Sequence, residues 1–265
     1  MYWINGIPQA QLPPTDRTIH FGDGFFTTAR VLDGDIPLLA WHLERLDLAA
    51  QRLLFAPFDA DALRREMLTA AGVGGDGVLK ALISRGSGGR GYSISGCGAP
   101  VRIVSRSPAP AHYPRWRQDG VRLRQSPVRL ARNPLLAGIK HNNRLEQVLI
   151  RAHLERYDAD EALVLDSEGV VVECASANLF WRRGQDVFTP ALHYAGVAGV
   201  MRRHVMSLLQ ALGYALAEVA VGPEDLATAD EVFITNALLP IVPVKAIDER
   251  HYADRTLYLQ LYPLC

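Results

Sequence analysis

Of the 28 lysine and arginine residues in the chain only three are lysines: Lys80, Lys140 and Lys245. An arginine serves as well as a lysine in a salt bridge or on a surface. Its guanidinium stays protonated, however, and cannot attack a carbonyl, whereas a desolvated lysine amine can. A lysine kept in so arginine-rich a chain raises the question of what an arginine could not do there. For Lys80 and Lys245 chance or packing is as good an answer, since reactive lysines are the minority. Lys140 is set apart by its neighbours: an apolar lead (Ala137, Gly138, Ile139), two asparagines able to cap (Asn142, Asn143) and an amphipathic run to Ile150.

Three other segments supply complementary groups. Glu173 is a carboxylate in Val172-Glu-Cys-Ala-Ser-Ala-Asn178. A helix start is written in Gly196-Val-Ala-Gly199-Val-Met-Arg202, and Arg45 lies on an earlier helix. Taken singly, Glu173 reads as a solvated charge, Gly199 as a cap and Arg45 as a surface cation. Together they are the parts of a pyridoxal phosphate site: an amine for the cofactor aldehyde, a carboxylate to keep the pyridine nitrogen protonated, and helix N-terminal amides for the phosphate. Gly86-Ser-Gly-Gly-Arg-Gly91 matches the dinucleotide pattern, but no helix opens on its third glycine and the next acidic residue is Asp119, so that reading is rejected. The glycines read instead as a mobile loop that presents Arg90 and Tyr92.

Composition bounds the rest. An apolar fraction of 49% and a charged fraction of 21% describe a globular protein. Twenty-eight acids balance twenty-eight bases, against a nucleic-acid footprint. No leader and no bilayer-length apolar run is evident, which predicts a cytoplasmic protein without membrane association. Cys97, Cys174 and Cys265 fit neither a disulfide framework nor a metal site.

The elements that must position these groups follow from periodicity. Residues 2–5 and 25–32 read as strands, the second ending in the hairpin signal Asp33-Gly34. Alternation places Phe26, Thr28 and Arg30 on one face, suited to line a pocket, and Phe25, Thr27, Ala29 and Val31 on the other. Helices are predicted over 39–55 and 59–71 and strands over 77–84 and 101–105. The proline-rich stretch 107–114 reads as a stiff linker. It divides an N-terminal α/β domain (1–106) from a larger, strand-rich C-terminal domain (115–265). In the latter the pattern predicts strands at 121–125, 161–166, 170–173, 178–182, 186–189, 231–235 and 240–246, and helices at 142–157 and 199–212.

Five stretches, spread over nearly the whole chain, carry a resemblance: Phe21–Arg30, Ser84–Tyr92, Asn133–His141, Glu161–Gly169 and Gly196–Arg202. In these motifs and their order the sequence resembles the fold-type IV pyridoxal phosphate enzymes, which include branched-chain and D-amino-acid aminotransferases. The resemblance implies a two-domain α+β fold and Lys140 as the Schiff-base lysine. It further implies Glu173 at the pyridine nitrogen and Arg45, Gly199, Val200, Met201 and Asn236 around the phosphate. Relatives often carry a hydroxyl where this chain has Met201 and Asn236. Arg90 and Tyr92 fall where relatives bind substrate carboxylates, beside the strand face of Thr28 and Arg30. A homodimer whose partner chain helps close each site, a small-molecule substrate and no metal are also implied. The motifs lie nearest the family's lyases of folate synthesis, with an aminotransferase as the alternative. A non-catalytic anion-binding module built on the arginines is the rival from another class, and it would carry no visible chromophore.

Overall fold

The computed structural model describes residues Met1–Cys265. The chain divides into two compact units, Met1–Ala109 with Ile139–Asn143, and Pro110–Gly138 with Arg144–Cys265.

The first unit contains β1 (Tyr2–Ile4), β2 (Ile7–Pro8), α1 (Arg17–Phe21), β3 (Gly24–Val31), α2 (Leu39–Arg52), α3 (Ala60–Ala71), β4 (Gly77–Ser84) and β5 (Val101–Ser107). The strands form one antiparallel sheet in the order β2-β1-β5-β4-β3. The alternation of β3 is realised as expected: Phe25, Thr27, Ala29 and Val31 are fully buried, while Phe26, Thr28 and Arg30 are half-buried on the opposite face. The buried face packs with Leu46 and Ala50 of α2 and Leu63 and Met67 of α3. Asp33 and Gly34 do make a tight turn, with Leu32 and Asp35 exchanging backbone hydrogen bonds. No hairpin continues from it, because Pro37 lacks a donor and α2 begins at Leu39. The long partner of β3 is β4.

β3 is therefore an edge strand, and Ile139–Asn143 cover its open edge. Phe26 N–H donates to Lys140 O and Asn142 N–H to Gly24 O, both at 2.9 Å. Ile139 joins the apolar core of this unit. These contacts assign residues 139–143 to the first unit, although the sequence pattern groups them with 115–265. The asparagines do not cap the helix that follows. Asn142 Nδ2 donates to Thr18 Oγ1 (2.7 Å) and Asn143 Nδ2 to Gly22 O (3.2 Å).

The second unit contains α4 (Tyr113–Asp119), β6 (Val121–Gln125), α5 (Leu145–Leu154), β7 (Glu161–Leu165), β8 (Val171–Cys174), β9 (Asn178–Arg183), β10 (Asp186–Pro190), α6 (Val200–Ala211), β11 (Ala215–Val219), β12 (Glu231–Thr235), β13 (Val242–Ile247), β14 (Arg250–His251) and α7 (Thr256–Leu261). The sheet order is β11-β10-β9-β12-β13-β6-β7-β8, with β14 paired to β13. α4 was hidden in the proline-rich stretch: Pro114 sits in its first turn, where a missing N–H costs no helical hydrogen bond. α5 starts at Leu145, three residues later than its pattern suggests, because the preceding backbone is engaged by β3. No helix is long and apolar enough to cross a membrane.

The end of α2 matters because this helix carries His42 and Arg45. Phe55 N–H donates to Ala50 O (2.9 Å) and Leu54 N–H to Gln51 O (3.2 Å), a Schellman closure with Leu54 in the left-handed region at φ 55°. Arg85 then takes the carbonyls of Leu54 (2.9 Å) and Leu53 (2.8 Å). A leucine at the left-handed position carries strain of about 1–2 kcal/mol that glycine would not, partly offset by glycine's greater chain entropy. The Leu54 side chain is 72% exposed, so little packing is lost with it. Leu54→Gly should stabilise the protein by roughly 0.5–1 kcal/mol, read as a higher urea midpoint at unchanged m-value.

Candidate active site

On the outward face of β3 two amines share one aromatic ring. Lys140 Nζ lies 4.8 Å and Lys80 Nζ 4.2 Å from the Phe26 ring centroid. Lys140 arrives there because its backbone is stitched to Phe26, and Lys80 because β4 pairs it directly with Thr28. Phe26, Thr28, Arg30, Lys80 and Lys140 thus belong to one face of the first unit, three of them basic and one bearing a hydroxyl. Burial lowers the pKa of Lys80. The rarity of lysine leaves Lys80 evenly balanced between packing and function; the antiparallel register of β3 and β4, which pairs it with Thr28, is what places it on this face.

On the other face of β3, Thr27 sits between His42 and Arg45 of α2. Arg45 Nη2 donates to Thr27 Oγ1, and Thr27 Oγ1 lies 2.6 Å from His42 Nδ1. The Nε of Arg45 is enclosed and meets no acceptor in the chain. Burial brings its guanidinium down to about 10, which leaves it cationic at neutral pH. His42 is pushed down to about 3 by burial and by the Arg45 charge.

The second unit carries Glu173, buried in β8. Its Oε2 accepts from Val197 N–H at 2.8 Å, while Asn178 Nδ2 holds Val197 O at 2.9 Å. Gly138, two residues before Lys140 in the chain, bonds to the same turn: Gly138 N–H donates to Gly196 O (2.9 Å) and Ala198 N–H to Gly138 O (3.0 Å). The turn leads into α6, whose N-cap is Gly199 and whose first amides have no side-chain cap. A Cβ at Gly199 would overlap Asn178 Oδ1, so the backbone can lie this close only as glycine. Glu161, unnoticed in the sequence, is fully enclosed, and burial pushes its carboxyl up. It accepts from Ser176 Oγ (2.5 Å) and from the amides of Ser176 and Ala162, and so anchors the bend after Glu173.

Other expected site residues fall differently. The Met201 side chain is buried, leaving only its amide to offer. The Asn236 carboxamide closes its own turn, accepting from Leu238 and Leu239 N–H and donating to Ser176 O. Arg90 and Tyr92 lie on an exposed loop, Tyr92 at 87%. That loop is clasped rather than loose: buried Arg17 donates to the carbonyls of Gly88, Gly91 and Ser93 and pairs with Asp23 at 2.8 Å. A Cβ at Gly89 would strike the Ser93 carbonyl, so compactness accounts for the glycine.

The amino-transferase class IV family model matches residues 24–247. The chain is similar to the aminodeoxychorismate lyase of Vibrio harveyi, 42% identical over 93% of this chain and 91% of the relative. It is also similar to the putative branched-chain-amino-acid aminotransferase of Methanocaldococcus jannaschii, 31% identical over 91% of this chain and 84% of the relative. Among solved structures, the 4-amino-4-deoxychorismate lyase of Pseudomonas aeruginosa matches with a TM-score of 0.94 at 43% identity, covering 99% of this chain and 98% of that one.

The lowered pKa of Lys80 has a definite sign in stability. Between its folded value and the unfolded value of 10.5 the unfolded chain binds more protons, so this group's contribution rises with pH across that window. The stability difference between Lys80→Met and the unsubstituted protein should therefore favour the variant most at neutral pH and shrink as pH approaches 10.5, in paired urea titrations.

Proposed function

The chain belongs to the class IV aminotransferase family, and on that premise we propose that it is a pyridoxal phosphate-dependent lyase converting 4-amino-4-deoxychorismate to 4-aminobenzoate and pyruvate. The observation that carries this reading is the placement of Lys140, whose backbone is locked to β3 and whose amine stands on a face with Lys80 and Arg30. That face suits a substrate with an amine to react and two carboxylates to hold. Relatives at 42% and 43% identity bearing the lyase name support this activity over transamination.

The residues fit the cofactor. The partnerless Arg45 Nε and the uncapped amides of Val200 and Met201 are donors for a phosphate. The buried Glu173 carboxylate can hold a proton on a pyridine nitrogen. Bound pyridoxal phosphate supplies an aldehyde for the substrate amine and a ring able to accept an electron pair. Lys140 then acts as general base and removes the proton from the amine-bearing ring carbon. Thr28 offers a hydroxyl on the same face of β3, opposite Lys80, and Lys80 and Arg30 orient the carboxylates by charge. Arg90 and Tyr92 complete substrate binding from the clasped loop. Overall, the C–O bond to the enolpyruvyl group breaks, the ring becomes aromatic, and the enol takes up a proton to become pyruvate.

Purified enzyme given 4-amino-4-deoxychorismate should release 4-aminobenzoate and pyruvate in equal amounts through many turnovers without any oxo acid, and Lys140→Arg should release neither. A requirement for an oxo-acid acceptor would replace the lyase by an aminotransferase.

The working unit of this reading is a cytosolic homodimer. Three free cysteines suit a reducing compartment. On α5, Leu145, Val148 and Leu149 recur at helical spacing yet stay 71%, 59% and 47% exposed, an apolar stripe suited to a second copy. Sedimentation equilibrium should give twice the 29.2 kDa chain mass, and Val148→Glu should shift it towards one chain.

A further inference from the structure

Arg45 is held by a chain of hydrogen bonds whose direction is fixed by chemistry. A guanidinium only donates, so its Nη2 makes Thr27 Oγ1 an acceptor. The Thr27 hydrogen has no other acceptor in the chain, so it goes to His42 Nδ1 at 2.6 Å, and the imidazole then carries its proton on Nε2. Thr27 and His42 are both buried, on the core side of β3, where no water competes for these bonds. The pressure of burial and of the Arg45 charge keeps His42 neutral, with a pKa of about 3, so the acceptor at Nδ1 persists at any working pH.

We infer that Thr27 and His42 are positioning residues that aim the Arg45 guanidinium at the cofactor phosphate, His42 acting through Thr27 and Thr27 through Arg45. The inference rests on the reading of Arg45 as a phosphate ligand. With Nη2 tied to Thr27, the guanidinium plane cannot swing, and its partnerless Nε is presented in one orientation. An arginine aimed in advance loses less freedom on binding than one that must be ordered by the ligand. The relay therefore acts on affinity for the phosphate and not on the reacting end of the cofactor.

The test compares two ligands on the cofactor-depleted, full-length protein by absorbance titration: pyridoxal phosphate, and pyridoxal, which lacks the phosphate. Thr27→Val keeps the shape and removes the hydroxyl; His42→Leu removes the acceptor. Each should weaken pyridoxal phosphate by about 10- to 100-fold, as loss of a hydrogen bond to a charged group implies, with pyridoxal affinity kept within about threefold. Thr27→Ser and His42→Asn, which retain the hydroxyl and an acceptor near Nδ1, should recover most of the loss. Undiminished affinity in Thr27→Val and His42→Leu, equal loss of both ligands from whatever cause, or no recovery in the conservative variants overturns the relay. Arg45→Gln separates the two levels: if it weakens only pyridoxal phosphate while the relay variants do nothing, the relay alone is wrong. If Arg45→Gln itself leaves pyridoxal phosphate affinity unchanged, the phosphate assignment falls and takes the relay with it.

Discussion

The first unit depends on the pairing of one strand edge. β3 ends its sheet, and an uncovered edge would leave a row of backbone donors and acceptors with no partner. The chain answers with Ile139–Asn143, which returns from more than a hundred residues away to make two backbone hydrogen bonds to Gly24 and Phe26. Those bonds set where Lys140 begins. A side chain with four rotatable bonds is a poor positional device unless its Cα is fixed, and here it is fixed by main chain, the least mutable material available. Ile139 in the core and the side-chain bonds of Asn142 and Asn143 brace the segment on either side.

β3 also divides labour by its pleat. Phe26, turned outwards, offers its ring to two ammonium groups, and Thr27, turned inwards, receives the guanidinium from α2. Successive residues of one strand thus serve as the footing for two amines and for the guanidinium of α2. Because the two positions alternate strictly, a one-residue slip of β3 against β4 would exchange them. The eight-residue register from Gly24–Ser84 to Val31–Gly77 is what forbids the slip.

Much of this was legible in the sequence because it follows local periods. The faces of β3, the extents of α2 and α3 and most strands of the second unit are written in alternation or helical spacing. The scarcity of lysine drew notice to Lys140, and the helix start at Gly199 is where the motif put it. What stayed hidden depends on distant partners. Asn142 and Asn143 have the chemistry of caps, but Thr18 and Gly22 compete for them. Asn236 has the chemistry of a ligand, but its turn uses it. The Gly86–Gly91 loop looks mobile by composition, and only the fold shows Arg17 gripping its carbonyls. β11 escaped notice because its residues are largely exposed and carry no clear alternation.

The lysine economy of the chain has a consequence for an enzyme that handles an aldehyde. Lys80, Lys140 and Lys245 are all partly shielded, so no lysine stands fully exposed on the outside, where the side-chain cations are guanidinium groups and the Met1 amine is the exposed exception. Guanidinium does not condense with aldehydes under conditions where a free amine does. The exterior is therefore nearly blind to stray pyridoxal phosphate. Off-site adducts have few places to form, and the carbonyl chemistry of the molecule is concentrated where the fold has set its few amines.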